Sequence, residues 1–232
     1  MDWDGAVNAW HVAGGVYRMG RREWLTEAGW QQAFDDGIRT VVDVRNAAEA
    51  RRRDTDPVVS DAAWHGMAVL SAPTEEPGHP RFTEICGPYL NDPAFYADNA
   101  RIFPEKLVGV FRALAAGADR GDVILHCAAG RDRSGMVAAM VQDLAGDSDQ
   151  DIAEGYRRAA RGINERYRTH GPPHDRECYL DDAELAPLLE RRGAAVVEFV
   201  RALDTRGYLL RHGLSTGELD AVLSLCGAGV AR

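Results

Sequence analysis

Apolar positions along the chain fall into short β-branched runs and longer stretches of helical period. Ile38–Val44 (IRTVVDV) is apolar almost throughout, the pattern of a strand buried on both faces. Val123-Ile124-Leu125 is a second such run, and Trp64–Leu70 is expected to be a third strand. Thr26 is placed to cap a helix running to about Asp36, with Gly37 as its stop. Asn46–Arg53 is expected to be a short polar helix, and Pro104–Ala116 a helix with proline in its first turn. Met136–Leu144 is apolar on nearly every side, so that helix belongs inside the core. Asp151–Tyr167 is amphipathic. Asp181–Arg191, Ala194–Leu203 and Thr216–Leu225, the last behind a Ser215 cap, predict a helical tail over 181–232. Pro73 to Pro93 holds five prolines and reads as a long loop with short helical pieces, a candidate lid or insertion over 73–100.

Strands alternating with helices predict an α/β fold, a mostly parallel sheet flanked by helices. No internal repeat or long linker interrupts the 232 residues, so 1–232 is expected to form one domain. Hydrophobic residues at 45% and charged residues at 27% exclude a disordered chain, a collagen-like chain and a disulfide miniprotein. A net charge of −9 gives no basic footprint, so no nucleic-acid partner is expected. No apolar run approaches the roughly 20 residues of a membrane span. The start, MDWDGAVNAW, lacks a basic segment followed by an apolar one. The expectation is a cytoplasmic protein with no stable membrane insertion. Cys86, Cys127, Cys178 and Cys226 form no C-x-x-C pair, so free thiols and no structural zinc are expected.

The chemistry concentrates where the strand at Val123–Leu125 runs into His126-Cys127-Ala128-Ala129-Gly130-Arg131-Asp132-Arg133-Ser134-Gly135 and then into the apolar helix. Ala128, Ala129 and Gly130 are small, which lets their backbone N–H groups approach a ligand. The next helix aims its unpaired N–H groups at the same spot, which makes an anion site. Phosphate or sulfate is the ligand such a loop would hold. Arg133 offers a planar fork suited to two phosphate oxygens. Cys127 lies in the same positive field, which favours a thiolate and hence a nucleophile aimed at phosphorus.

The spacing H-C-x5-R-S resembles the signature of the protein tyrosine phosphatase superfamily, matched here by His126, Cys127, Gly130, Arg133, Ser134 and Gly135. The longer form is similar to the H-C-x-x-G-K-D-R-T-G of a bacterial branch that includes the mycobacterial phosphatase B type. Gly14-Gly15-Val16-Tyr17-Arg18, Asp43-Val44-Arg45 with Glu49, Gly87-Pro88-Tyr89 and Tyr208-Leu209 extend the likeness loosely over most of the chain. It implies a three-layer cysteine-phosphatase fold and a metal-independent phosphatase with no cofactor. In that scheme Cys127 attacks phosphorus, Arg133 holds the equatorial oxygens, Ser134 helps the sulfur leave, and His126 supports the loop from behind. Ala128, Ala129, Gly130, Arg131 and Asp132 complete the phosphate contacts. Substrates implied are phosphotyrosine proteins, with dual specificity, phosphoinositides or small phosphate esters as extensions.

The acid that protonates the leaving group has several candidates. No tryptophan is followed by Pro-Asp, which removes the usual source. Asp132, beside the arginine, ranks first, Asp43 second, and Asp92 and Asp98 third. Asp43 and Arg45 at a strand end read first as a structural ion pair. Arg51-Arg52-Arg53 and Arg157-Arg158-Arg161 read as solvated helix faces. Phe82, Tyr89, Phe95 and Tyr96 read as core before they read as a ring pocket. The histidines, His65 among them, show no ligand spacing. Arg131 replaces the branch's lysine, and Met19 its serine, which bears on substrate choice. Two other classes compete: a non-catalytic phosphate-binding module, which has no use for a nucleophile, and a rhodanese-type transferase, whose cysteine loop is normally one residue shorter. Composition and motif leave oligomeric state and physiological substrate open.

Overall fold

The computed structural model describes residues 1–64 and 66–228; His65 lies outside the described residues. Among the described residues five strands form one sheet in the order β1-β2-β5-β3-β4. β1 (Trp10–Ala13) and β2 (Val16–Met19) make an antiparallel hairpin. β5 (Asp122–His126) lies between β2 and β3 (Ile38–Asp43) and runs parallel to both; β4 (Ala68–Ser71) is parallel to β3 at the far edge. Helices cover both faces, the arrangement that lets a parallel sheet carry continuous apolar strands. Side chains alternate accordingly. Val123 and Leu125 enter the larger core, while Ile124 enters the smaller one with Trp30, Ile38 and Val41.

The smaller core is closed by α1 (Glu27–Asp35), whose Thr26 cap accepts a hydrogen bond from Gly29 N at 3.1 Å. On the other face α4 (Pro104–Ala118) and α5 (Arg133–Ala145) lie against the sheet. Behind them pack α6 (Asp149–His170), α7 (Asp182–Leu203), α8 (Thr205–Arg211) and α9 (Thr216–Leu225). Every residue of α5 from Arg133 to Gln142 is buried, as its apolar body predicts. The segment between β4 and α4 holds α2 (Pro80–Cys86) and α3 (Tyr96–Ile102), and it buries Phe82, Cys86, Leu90 and Tyr96 in the core. Among the described residues no helix is long and apolar enough to cross a membrane.

Four elements differ from the sequence expectation. Asn46–Arg53 is not a helix: a capping box between Asn46 and Glu49 closes a single 3-10 turn at Ala47–Glu49. The backbone beyond it bonds elsewhere, Arg51 O accepting from Arg21 and Arg53 N donating to Asp56, so the three arginines lie on an irregular loop. The third strand starts at Ala68, because Trp64 ends a 3-10 turn and stacks on Trp30 with ring centroids 4.0 Å apart. The helices expected on either side of Gly193 are one helix, α7. Gly193 faces Arg157 of α6, whose Nε lies 2.8 Å from where a Cβ would stand, so this glycine serves close packing rather than a break. The hairpin β1–β2 was not anticipated, although Gly14-Gly15, with Gly14 at φ 54°, is a turn signal between two apolar segments.

Candidate active site

The segment 127–132 leaves the C-terminal end of the central strand β5 and feeds into α5, at the sheet edge where parallel α/β folds present ligands. Its carbonyls are all turned away from the loop's interior. Cys127 O faces His126 Nδ1 at 3.3 Å, and Ala128 O accepts from Arg21 N at 2.9 Å. Ala129 O accepts from Asn8 Nδ2 at 2.9 Å. The buried Arg18 Nη2 donates to Gly130 O at 2.6 Å and Arg131 O at 3.1 Å, and Tyr96 OH donates to Asp132 O at 2.9 Å. In a trans peptide each N–H points opposite the preceding carbonyl. Six outward carbonyls therefore leave the following N–H groups facing inward, a concave nest of positive dipoles. Gly130 is required twice over: its φ is 67°, and a Cβ would stand 2.6 Å from Gly20 N.

Cys127 Sγ lies 3.2 Å from Ser134 Oγ, a hydroxyl on the first turn of α5. Both residues are buried. Arg133 is forked onto Glu49, Nη1 to Oε2 at 2.5 Å and Nη2 to Oε1 at 2.7 Å, and Nη1 stands 3.4 Å from the buried Glu75 Oε1. Burial works against charge on Arg133, but the Glu49 bonds and the Glu75 charge outweigh it and hold the guanidinium firmly protonated. The same contacts keep Glu49 below the usual carboxylate range against its own burial. Glu75 is pushed up by burial.

Beneath the loop, His126 is fully buried and held neutral: burial first, and then nearby Arg45, lower it to about 4 against the pull of Asp43. Arg45 binds Asp43 through Nε to Oδ1 at 2.9 Å and Nη2 to Oδ2 at 2.8 Å, and binds Glu23 at 2.9 and 2.8 Å. Burial disfavours the Glu23 carboxylate, yet the Arg45 bonds and charge hold it at about 2. Asp43 is likewise kept low by Arg45 and by His126 despite burial. Asp43 and Arg45 are thus a structural ion pair under the sheet edge.

Cys127, Ala128, Ala129, Asp132 and Arg133 open onto a cavity of about 350 Å³. Of the four acid candidates, only Asp132 lines it. Its Oδ1 accepts from Tyr156 OH at 3.0 Å and its Oδ2 from Arg131 Nε at 2.9 Å. Asp92 caps a 3-10 turn and pairs with Arg191 and Arg192, and Asp98 pairs with Arg101 on the surface. Arg131, expected to meet substrate, does not line this cavity. Its guanidinium turns to Asp132 and to Glu177, with Nη2 to Oε1 at 3.1 Å. The cavity's far walls are Trp24, Tyr89, Ile163, Tyr167 and the α6–α7 connection at Pro172, Pro173, His174 and Glu177. From the 73–100 segment only Tyr89 and Leu90 reach it.

Asn8, Arg18, Arg21, Tyr96, Tyr156, Glu75 and Glu177 were not singled out for these roles by sequence. Only Arg18 carried a signal, an arginine inside an apolar strand. The others act across distances of up to 121 residues, which no local pattern encodes.

A cysteine and an arginine at the two ends of a nest between a central strand and a buried helix define the architecture of the cysteine phosphatases. The chain belongs to the tyrosine phosphatase family, whose family profile matches residues 8–224. It is 45% identical over 47 residues to a tyrosine-protein phosphatase of Nostoc commune, a stretch covering 20% of this chain and 16% of that protein's length. Among solved structures it is similar to TpbA of P. aeruginosa, at 21% identity over 89% of this chain and 91% of that one, with a TM-score of 0.46. It is also similar to the core catalytic domain of the PP-IP phosphatase SIW14 of S. cerevisiae in complex with citrate. There the identity is 14% over 87% of this chain and 94% of that one, with a TM-score of 0.40.

Proposed function

We propose that the chain, acting as one domain, hydrolyses phosphate monoesters through a phosphocysteine intermediate, with phosphotyrosine as the preferred ester. The observation that carries this is the ring of six outward carbonyls around Cys127, which turns the loop's N–H groups on one point next to the sulfur. The phosphoryl group sits in that nest, its oxygens held by backbone N–H groups and by the Arg133 edge that Glu49 leaves open. Cys127 Sγ attacks phosphorus, an S–P bond forms, and the ester P–O bond breaks. The leaving oxygen takes its proton from Asp132, the candidate acid on the cavity wall. Water then attacks phosphorus and gives a proton to the Asp132 carboxylate. The S–P bond breaks and the thiolate returns, eased by the Ser134 hydroxyl. Arginine and backbone dipoles supply the positive charge in this scheme.

Trp24, Tyr89, Tyr167 and the two prolines give the cavity walls suited to a phenyl ring. A second reading rests on Arg53 and Arg166, which line the same cavity. Arg166 is stacked over Trp24 at 3.9 Å with no ion-pair partner among the described residues. They favour a phosphoinositide or another ester carrying a second anionic group.

The test is phosphate release, in EDTA, from an aryl phosphate, phosphotyrosine and phosphoserine peptides, and a soluble phosphoinositide. Cys127→Ser is expected to lower turnover by at least about 10³-fold on every substrate while still binding phosphate. The ranking of substrates chooses between the two readings. No release from folded, reduced protein would leave a phosphate-binding module instead.

A further inference from the structure

Arg131 sits between two carboxylates. Its Nε binds Asp132 Oδ2 at 2.9 Å, and its fork engages Glu177 at 3.1 and 3.3 Å. The side chain is 10% exposed and that of Glu177 13%, so the pair is shielded from solvent screening. Glu177 comes from the α6–α7 connection, 46 residues further along the chain, and lines the cavity of Cys127. Nothing in the loop itself needs Glu177: the backbone ring is complete without it.

Resting on the reading of Asp132 as the acid, we infer that Glu177 is a positioning residue that acts through Arg131 to keep Asp132 able to carry a proton. Arg131, Arg18 from β2 and Arg192 from α7 all face it with positive charge. Tyr156 donates to it, and the Tyr96 and Tyr167 hydroxyls and Tyr89 stand nearby. Glu75 is the one other anion facing it from the 73–93 segment. Glu177 takes up the fork of Arg131 and offsets its charge, leaving Asp132 only the Nε contact. A carboxylate that must give a proton at each turnover gains from that offset. The same fork fixes the rotamer of Arg131 and hence the direction of its Nε contact with Asp132.

Neutralising Glu177 leaves Arg131 uncompensated, makes Asp132 harder to protonate, and moves the alkaline limb of the rate profile to lower pH. An ester with a good leaving group needs little proton donation, whereas an alkyl phosphate needs it fully.

The experiment compares wild type, Glu177→Gln, Asp132→Asn and Arg131→Lys on an activated aryl phosphate and an alkyl phosphate across pH, with thermal unfolding as the folding check. Glu177→Gln is expected to lose about tenfold on the alkyl ester and much less on the aryl ester, its alkaline limb lower by up to about one pH unit. Arg131→Lys keeps the charge but not the fork, and is expected to show the same ester preference. Equal loss on both esters with an unmoved limb, or no loss on either, overturns the role of Glu177. Asp132→Asn separates the two claims. If it shows ester-dependent loss and Glu177→Gln does not, only the Glu177 inference falls. If Asp132→Asn shows none, the acid assignment falls and takes the inference with it.

Discussion

Arg45 and Arg133 stand near the C-terminal ends of adjacent strands, both buried and both forked onto glutamate, yet they are not equivalent. Arg45 spends Nε and both terminal nitrogens on Asp43 and Glu23, and it lines no part of the cavity. Arg133 gives only its two terminal nitrogens to protein carboxylates, Nη1 and Nη2 to Glu49. Its Nε makes no hydrogen bond within the described residues, and the side chain borders the cavity. A guanidinium whose donors are used up holds structure together. One held on its far edge with a near edge open is placed to bind something else.

Breaking each arginine should separate the two roles. Arg133→Ala is expected to lose turnover by about 10³-fold or more together with phosphate binding, and Arg133→Lys should recover little, because a point charge lacks the bidentate edge. Isothermal titration with phosphate beside steady-state rates would show this. Arg45→Met should act on the fold instead. It takes the forked guanidinium from buried Asp43 and from Glu23, which keeps only Arg21 at 3.3 Å and Arg22 at 3.5 Å, a defect that costs on the order of 3–5 kcal/mol, read in urea denaturation.

A third test uses pH. The folded chain holds His126 at about 4, below its ordinary value of 6.5. As pH falls through 6.5, the unfolded chain binds a proton that the folded chain refuses. Stability is therefore lost between about pH 6.5 and 4, by on the order of 3 kcal/mol in total. His126→Gln is expected to flatten that part of the stability profile above pH 4.5, before Glu23 and Asp43 begin to titrate in the unfolded chain. An unchanged slope would mean that another group carries it. The smallest effect is expected at Glu49, whose side chain is 35% exposed. Glu49→Gln should raise KM by about fivefold, the scale of a partly solvated pair.

Much of this contrast was legible in the sequence because it is local. The strand at Val123–Leu125, the six residues from Cys127 to Asp132 and the apolar helix behind them are contiguous, so the strand–loop–helix unit, with its candidate cradle, candidate nucleophile and arginine, could be read in one pass. The Thr26 and Ser215 caps were legible for the same reason, each side chain bonding three residues ahead. What escaped is what the fold brings together. Arg18 reaches the loop across 112 residues, and Glu49 reaches Arg133 across 84. The Asn46–Arg53 segment looked helical because its composition is polar and short, but Arg21 and Asp56 claim its backbone. Arg131 looked like a substrate contact because nothing nearby in sequence reveals Glu177.

The central claim is that phosphorus passes through Cys127. It is tested most directly with Ser134→Ala, in which release of the sulfur is slowed, mixed with an aryl phosphate and quenched in acid within a few turnovers. Peptide mass spectrometry should then find one phosphoryl group on the Cys127 peptide, absent from Cys127→Ser treated alike. A phosphoryl group on another residue, or steady turnover with none on Cys127 at any quench time, would contradict the account.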